Sequence, residues 1–244
     1  MQSIKTPLFY SNFDDNLNIG DIVFLDKNET NHIYNSLRKK QNDIIAVFNG
    51  RGILVEGSII DISKNSTKVI INNIEKYKKE KFISAIIPLF NLNKLDFSIE
   101  KLAELGIHKI YIYNPDFNNK NVKHIEEKLR RWQRVCIAAC KQSYNIFLPE
   151  LYFLNDLCEL EEFDGHFIVP FELEKNITLE KVISEVKDKD IFFIIGSEGG
   201  FSQKEIDILQ RHLSVYFVKL TDTILRVETA VIYTASVLTF FFNK

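Results

Sequence analysis

Residues 191–205 read IFFIIGSEGGFSQKE. The apolar run Ile191–Ile195 has the pattern of a buried strand. It runs into Gly196, Ser197, Glu198, Gly199 and Gly200. Glycines there let the backbone turn sharply and approach a ligand closely. Ser202 and Glu205 stand at capping-box spacing, so a helix opens directly after the turn. A buried strand, a glycine turn and a capped helix are the parts of an open α/β fold, whose ligands bind at the carboxyl ends of its strands. The glycine spacing is not the dinucleotide fingerprint, and no Gly-Lys-Ser/Thr follows as in a Walker A loop. A tight structural turn with a solvated Glu198 is the competing reading.

The surrounding chain repeats this alternation. From Phe82 onward, the strand candidates FISAIIPLF, HKIYIYNP, HFIVPF, IFFIIG and VYFVKL are separated by helical patterns. A largely parallel sheet with helices on both faces is expected. In the helix LDFSIEKLAELGI, Phe97, Leu102 and Leu105 are expected to point inward, with Gly106 at its end. A long helix is expected from about Asn121 to Tyr144, and a last one over VETAVIYTASVLTFF. Residues 1–75 have another texture. DIVFLD, DIIAVFNG, ILVEGSIID and TKVIINNIE are short strands between turn signals, as in a small barrel or sandwich. ETNHIYNSLRKK interrupts them as a helix, with Thr30 or Asn31 as its cap. The charged KYKKEK then separates a domain at 1–75 from one at 76–244.

Composition excludes several classes. With 244 residues, 45% hydrophobic and 26% charged, the chain buries a core without staples. Its three cysteines, Cys136, Cys140 and Cys158, fit neither a disulfide scaffold nor a zinc site. No signal-peptide pattern opens the chain, and the apolar run 230–242 is too short to span a bilayer comfortably, so a cytoplasmic protein without membrane or metal is expected. A net charge of −2 means that any polyanion must be met by a local patch. Arg130, Arg131 and Arg134, flanked by Lys123, Lys128 and Lys141, offer one on a helix. Lys27, Arg38, Lys39, Lys40 and Arg51 could extend it. A solvated helix face is the plainer reading.

A further cluster is KLTDTILRVETA, residues 219–230. Ile224 and Leu225 are apolar where a loop is usually polar, so they suit a pocket wall. Arg226 suits a phosphate, or pairs with Glu228. The scattered histidines, His212 among them, form no nucleophilic triad, and there is no HExxH.

Taken in order, NHIYNSLR, KLDFSIEKLAELGI, WQRVCIAACKQS, IIGSEGGFSQKE and LTDTILRVETA resemble the bacterial 16S ribosomal RNA uracil-N3 methyltransferases, of the SPOUT class. The resemblance covers nearly the whole chain. It implies an N-terminal PUA-like β-barrel, a C-terminal SPOUT α/β domain with a trefoil knot, a homodimer, S-adenosylmethionine as cofactor, and 16S ribosomal RNA of the small subunit as partner. It implies a cofactor site of Val169, Pro170, Gly196, Glu198, Gly199, Gly200, Leu220, Thr221, Ile224, Leu225 and Arg226. Arg226, Glu198 and Glu228 are the catalytic candidates. Arg38, Lys94, Arg130, Arg131 and Arg134 are the RNA-binding candidates. The chain departs from the family pattern at Ser197, where proline is usual, at Thr221, where glycine is usual, at Val227, and around Lys141, Asn145 and Phe147. A related methyltransferase with another target nucleotide, or a non-catalytic RNA-binding or assembly protein, are the alternatives.

Overall fold

The structure is a computed structural model that describes residues 6–79, 82–117, 124–186, 190–211 and 214–242. Lys123, His212 and the expected start of the long helix lie outside the described residues. The chain divides into two units, Met1–Lys79 with Cys140–Leu148, and Glu80–Ala139 with Pro149–Lys244.

The first unit is built on a five-stranded sheet. Its strands are β1 (Leu8–Tyr10), β2 (Ile22–Leu25), β3 (Ile44–Phe48), β4 (Ile53–Ile62) and β5 (Thr67–Lys76), in the order β1-β3-β4-β5-β2. Only β1 and β3 pair in parallel; the other pairs are antiparallel. Phe9 from one edge strand and Val23 and Leu25 from the other share one apolar cluster with Ile45, Val55 and Val69. For both edges to reach one core the sheet must curl, and register shifts between β4 and β5 supply local twist. The interrupting helix α1 (Lys27–Asn31) continues into a single π turn at His32–Ser36. Its cap is Asp26, whose carboxylate accepts from Glu29 N, rather than Thr30 or Asn31. Thr30 is buried and its hydroxyl accepts from Thr67. An aspartate one residue before the helix outcompetes it as cap.

The segment 140–148 joins this unit through backbone bonds, Leu148 N to Gly50 O at 2.9 Å and Gly52 N to Ile146 O at 3.4 Å, and through Lys141. Its Nζ lies 2.6 Å from Glu29 Oε2 and 3.3 Å from His32 Nδ1, and 5.2 Å from the centre of the Phe9 ring. Lys141 therefore does not add to a solvated basic face. Arg51 is likewise held at home, by Asp15 at 2.9 Å and Asn12 at 2.8 Å. Burial and the Lys141 charge hold the His32 imidazole below its ordinary value, against the opposing pull of Glu29.

The second unit is an α/β layer structure. Strands β6 (Ile83–Pro88), β7 (Lys109–Tyr113), β8 (Glu150–Leu154), β9 (His166–Pro170), β10 (Ile191–Ile194) and β11 (Val215–Val218) form one sheet, ordered β11-β9-β10-β6-β7-β8. Every pair in it is parallel. The helices are α2 (Leu92–Glu104), α3 (Ile125–Ser143), α4 (Leu179–Glu185), α5 (Gln203–Leu209) and α6 (Val227–Phe242). All of β6 and β10 is buried, as central strands covered on both faces require. Strand β8, at the edge, is additional to the strands read from sequence. Trp132 is fully buried, and its Nε1 donates to Asp96 Oδ1 at 2.9 Å, tying α3 to α2. Cys136 and Cys140 are buried free thiols. Leu102 faces inward as expected, but Phe97 is 47% exposed. Its ring lies beside α6 rather than under the sheet. Among the described residues no helix is long and apolar enough to cross a membrane.

Removing one partner of a buried ion pair strands the other charge, at a cost of about 3–5 kcal/mol. Lys141→Met is therefore expected to lower hydrogen-exchange protection across β3–β5 by roughly that amount. The double variant Glu29→Gln/Lys141→Met should recover most of it. Unchanged protection in the single variant would show that the pair contributes nothing. The folded His32 also resists a proton that the unfolded chain accepts near pH 6.5. Its contribution to stability is thus present above that pH and lost as pH falls through it. His32→Asn should flatten that dependence in the same exchange measurement.

Candidate active site

Because β9, β10 and β11 run in parallel, the chain leaves all three at the same edge of the sheet. The loops that follow line a cavity of about 380 Å³. Pro170, Phe171, Glu172, Glu174 and Lys175 come from the first loop, and Ile195, Gly196, Ser197, Gly200 and Phe201 from the second. Residues 219–225 form the third wall, with Val227 and Ala230 of α6 behind them. The volume falls within the roughly 300–1,000 Å³ of small-molecule sites.

The glycine turn is held by its serine. Ser197 Oγ donates to Gly200 O at 2.8 Å and accepts from Gly199 N at 3.3 Å, while Gly200 N donates to Ser197 O at 2.9 Å. A proline at this place would fix the turn through its ring. Here a hydroxyl fixes it through hydrogen bonds. Gly200 has φ +75°, and a Cβ built on it would lie 2.8 Å from Glu172 Oε1. The backbone conformation calls for glycine, and a side chain there would also push the Glu172 carboxylate aside.

Behind the turn, the capping box forms as its spacing suggests. Ser202 Oγ accepts from Glu205 N at 3.1 Å, and Glu205 Oε2 accepts from Ser202 N at 2.7 Å. Glu205 Oε1 also accepts from Asp116 N at 3.2 Å, and Ser202 Oγ donates to Asp116 Oδ2 at 2.7 Å. Burial raises the Glu205 carboxyl above its ordinary value, although its backbone donors oppose this.

The third loop is closed by Thr221 Oγ1, which donates to Thr223 O at 2.7 Å. Lys219 Nζ lies 2.5 Å from Asp222 Oδ1, and this bond and charge hold the Asp222 carboxyl below its ordinary value. Glu174 accepts from Asn176 N at 2.7 Å and Ile177 N at 3.0 Å, which lower its carboxyl in the same sense. Ile224 is 89% exposed at the cavity rim, an unusual setting for a branched aliphatic side chain.

The cavity thus brings together Pro170, Gly196, Gly200, Leu220, Thr221, Ile224 and Leu225. Four other candidates do not line it. Val169 is fully buried inside β9. Glu198 and Gly199 are exposed at the tip of the turn, and Arg226 is exposed just beyond Leu225. Neither the Glu198 nor the Arg226 side chain makes a hydrogen bond or a direct ion pair among the described residues, although the Arg226 charge acts on Glu228. Glu228, in the first turn of α6, pairs with Lys94 of α2 at 3.0 Å. Burial favours its neutral form, but its own backbone N–H, the Lys94 ammonium and the Arg226 charge outweigh this. Its carboxyl is held below the ordinary value.

Of the basic residues, Arg130, Arg131 and Arg134 all lie on the exposed side of α3. Arg131 pairs with Asp96, and Arg130 lies 3.9 Å from Glu126. Arg38, in the first unit, follows the π turn with φ +50°. Sequence reasoning passed over Phe171, Glu172 and Lys219 as cavity residues. All follow or end strands whose carboxyl ends were already expected to bind a ligand, and that rule could have found them.

Comparison with known proteins adds names to this geometry. Residues 78–239 match the family described as RNA methyltransferase domain, and residues 25–72 the one described as RNA methyltransferase PUA domain. The ribosomal RNA small subunit methyltransferase E of Buchnera aphidicola (subsp. Acyrthosiphon pisum) is 28% identical over 237 residues, 93% of this chain and 90% of that protein. Its counterpart in Mesomycoplasma hyopneumoniae is 29% identical over 212 residues, 83% of this chain and 87% of that one. The crystal structure of the Neisseria gonorrhoeae ribosomal RNA small subunit methyltransferase E, bound to S-adenosyl methionine, is similar in fold. Its TM-score is 0.83 at 24% identity, over 97% of this chain and 98% of that one.

An L-residue at the Gly200 conformation costs about 1–2 kcal/mol, and contact with Glu172 adds to it. Gly200→Ala is therefore expected to destabilise the second unit in denaturant titrations followed by fluorescence of Trp132, the single tryptophan. Gly200→Ala/Glu172→Ala should regain the contact part and leave the backbone part. Wild-type stability in Gly200→Ala would contradict the turn described.

Proposed function

Because the chain belongs to the RNA methyltransferase family, we propose that it transfers the methyl group of S-adenosylmethionine to N3 of a uridine in 16S ribosomal RNA. The observation that carries this reading is the three-loop cavity at the carboxyl ends of β9, β10 and β11, with its hydrogen-bonded glycine turn. The residues present fit the cofactor. The walls offer apolar surface from Pro170, Ile224 and Leu225, and Gly196 and Gly200 add no side chain of their own to the lining. Pro170, Gly196, Gly200, Leu220, Thr221, Ile224 and Leu225 would hold it, with Val169 supporting from within the strand and Glu198, Gly199 and Arg226 flanking.

The bound cofactor supplies an electrophilic methyl carbon on a sulfonium. Neutral uracil carries a proton on N3, so that proton must leave as the nitrogen–carbon bond forms. The N3 edge is also the pairing edge, so the uridine must be presented unpaired or turned out. Glu228 is a poor acceptor for this proton, because Lys94 and Arg226 favour its charged form. Glu198, uncommitted at the exposed tip of the turn, is the better one. Arg226, whose guanidinium makes no hydrogen bond among the described residues, is placed to stabilise the anion that develops on the uracil oxygens. Glu228 then serves to position Arg226, and Lys94 to hold Glu228. Arg38, Arg130, Arg131 and Arg134 are assigned to the RNA backbone, which exposed arginines suit.

A homodimer belongs to the same proposal. One face of α6 exposes Tyr233, Phe240 and Phe241, which with Ile232, Val237 and Phe97 line an apolar groove. Such a patch on a helix beside the site marks a contact surface, and a second copy of this chain is the occupant that the family resemblance implies.

Purified chain, small ribosomal subunits and labelled S-adenosylmethionine should yield methyl label that maps to N3 of a uridine. Arg226→Ala and Glu198→Gln should each lower turnover by about 10²-fold or more. Glu228→Gln should lower it less. Full turnover by all three variants would remove the assignment. No label in subunits or free 16S RNA would favour a non-catalytic RNA-binding protein. In light-scattering measurements the wild type should have the mass of a dimer, and Phe240→Glu should shift it toward the monomer. A monomeric wild type would refute the dimer.

A further inference from the structure

We propose that Glu172 reads the positive charge of the methyl donor and so sets the preference of the site for charged cofactor over its neutral-sulfur product. The inference rests on the reading of the cavity as the S-adenosylmethionine site.

Among the described residues three carboxylates line the cavity: Glu172, Glu174 and Asp222. Two of them are committed. Glu174 is occupied by the backbone N–H groups of Asn176 and Ile177, and Asp222 by Lys219. Glu172 has no hydrogen bond or ion pair among the described residues. It is exposed, and its Oε1 lies 2.8 Å from where a Cβ on Gly200 would stand. The carboxylate therefore stands over the glycine turn, on the wall formed by the loop after β9. Against the three carboxylates the lining holds two lysines, Lys175 and Lys219. Lys219 is neutralised by Asp222, so the walls keep a negative excess, with Glu172 as its unpaired member.

The reaction changes charge inside the cavity. As the methyl carbon bonds to uracil N3, its bond to sulfur breaks and the electron pair returns to sulfur. The sulfonium becomes a neutral thioether, and the N3 proton leaves to a base. An unpaired carboxylate on the wall stabilises the donor and not the product. It favours loading before transfer and release after it. An uncharged wall would bind donor and product alike, because their remaining atoms are the same.

The test is calorimetry on the full chain and on Glu172→Gln, which keeps size and hydrogen bonding but removes the charge. Three probes are used: S-adenosylmethionine, S-adenosylhomocysteine, and an analogue with a protonated amine in place of the methylsulfonium. The variant should bind both cationic probes about three- to tenfold more weakly and the neutral thioether within about twofold of wild type. Raised salt should shrink the wild-type preference and leave the variant's unchanged. Equal weakening toward all three probes would assign Glu172 to a group they share, and overturn the proposal. So would unchanged binding of all three. If the wild type bound none of them, the cavity reading itself would fail, and this proposal with it. Trp132 fluorescence in denaturant should be the same for both proteins, which separates lost charge recognition from lost folding.

Discussion

The cavity depends on tying two strand ends that are not neighbours. Strand β6 separates β7 from β10 in the sheet. No ladder bond can therefore fix the loop after β7 to the loop after β10. Side chains do it instead. The Tyr113 hydroxyl, at the end of β7, donates to Ile195 O at 3.1 Å, and Glu205 and Ser202 bind Asp116 from the start of α5. The capping box thus has a second duty. It satisfies helix-end donors, as any capping box does, and it also clamps the glycine turn against a loop from the far side of β6. Loss of Glu205 would release both. Its burial at 3% exposure is tolerable only because several donors converge on it.

Much of this was legible in the sequence, for identifiable reasons. The strand–turn–helix at 191–205 could be read because its signals are local: an apolar run, glycines, and a serine three residues before a glutamate. The same holds for Gly106, which ends α2 with φ +76°. The losses are equally physical. Strand β8 is an edge strand of five residues with a half-exposed pattern, so it has no continuous apolar run to announce it. Phe97 sits at an inward-looking helical position, yet it belongs to the groove along α6, because the periodicity of a helix does not say which of its neighbours covers which face. The return of residues 140–148 to the first unit combines backbone bonds to Gly50 and Gly52 with Lys141 meeting Glu29 across 112 positions, which no local pattern contains.

Charge tells a similar story at the site. Arg226 and Glu228 invite a direct pair when read along the chain, since they are close in sequence. In the fold Glu228 turns instead to Lys94, a residue of another helix. That choice redistributes the chemistry. A carboxylate held in its charged form by Lys94 and Arg226 is a weak base, whereas Arg226, which feels Glu228 without bonding it, keeps its N–H donors for whatever enters. Sequence proximity sets Arg226 and Glu228 side by side but does not give their pairing, because pairing is decided by how α2 packs on α6.

The departures from the family pattern fall where such a cavity tolerates them. Serine replaces proline at 197, and the turn is kept by two side-chain hydrogen bonds in place of a ring. Threonine stands at 221, and its hydroxyl closes the third loop on Thr223. Both walls present main chain to the cavity, so what matters there is the path of the backbone, and more than one side chain can hold a given path. Features that depend on a particular side-chain charge cannot be replaced in this way. Arg226 and Glu172 are of that second kind, since one would meet a developing anion and the other a cation that disappears. They stand beside the same cavity with opposite signs, both exposed, and neither side chain makes a hydrogen bond or direct ion pair among the described residues. A donor that loses positive charge and an acceptor that gains a transient negative one would complete both.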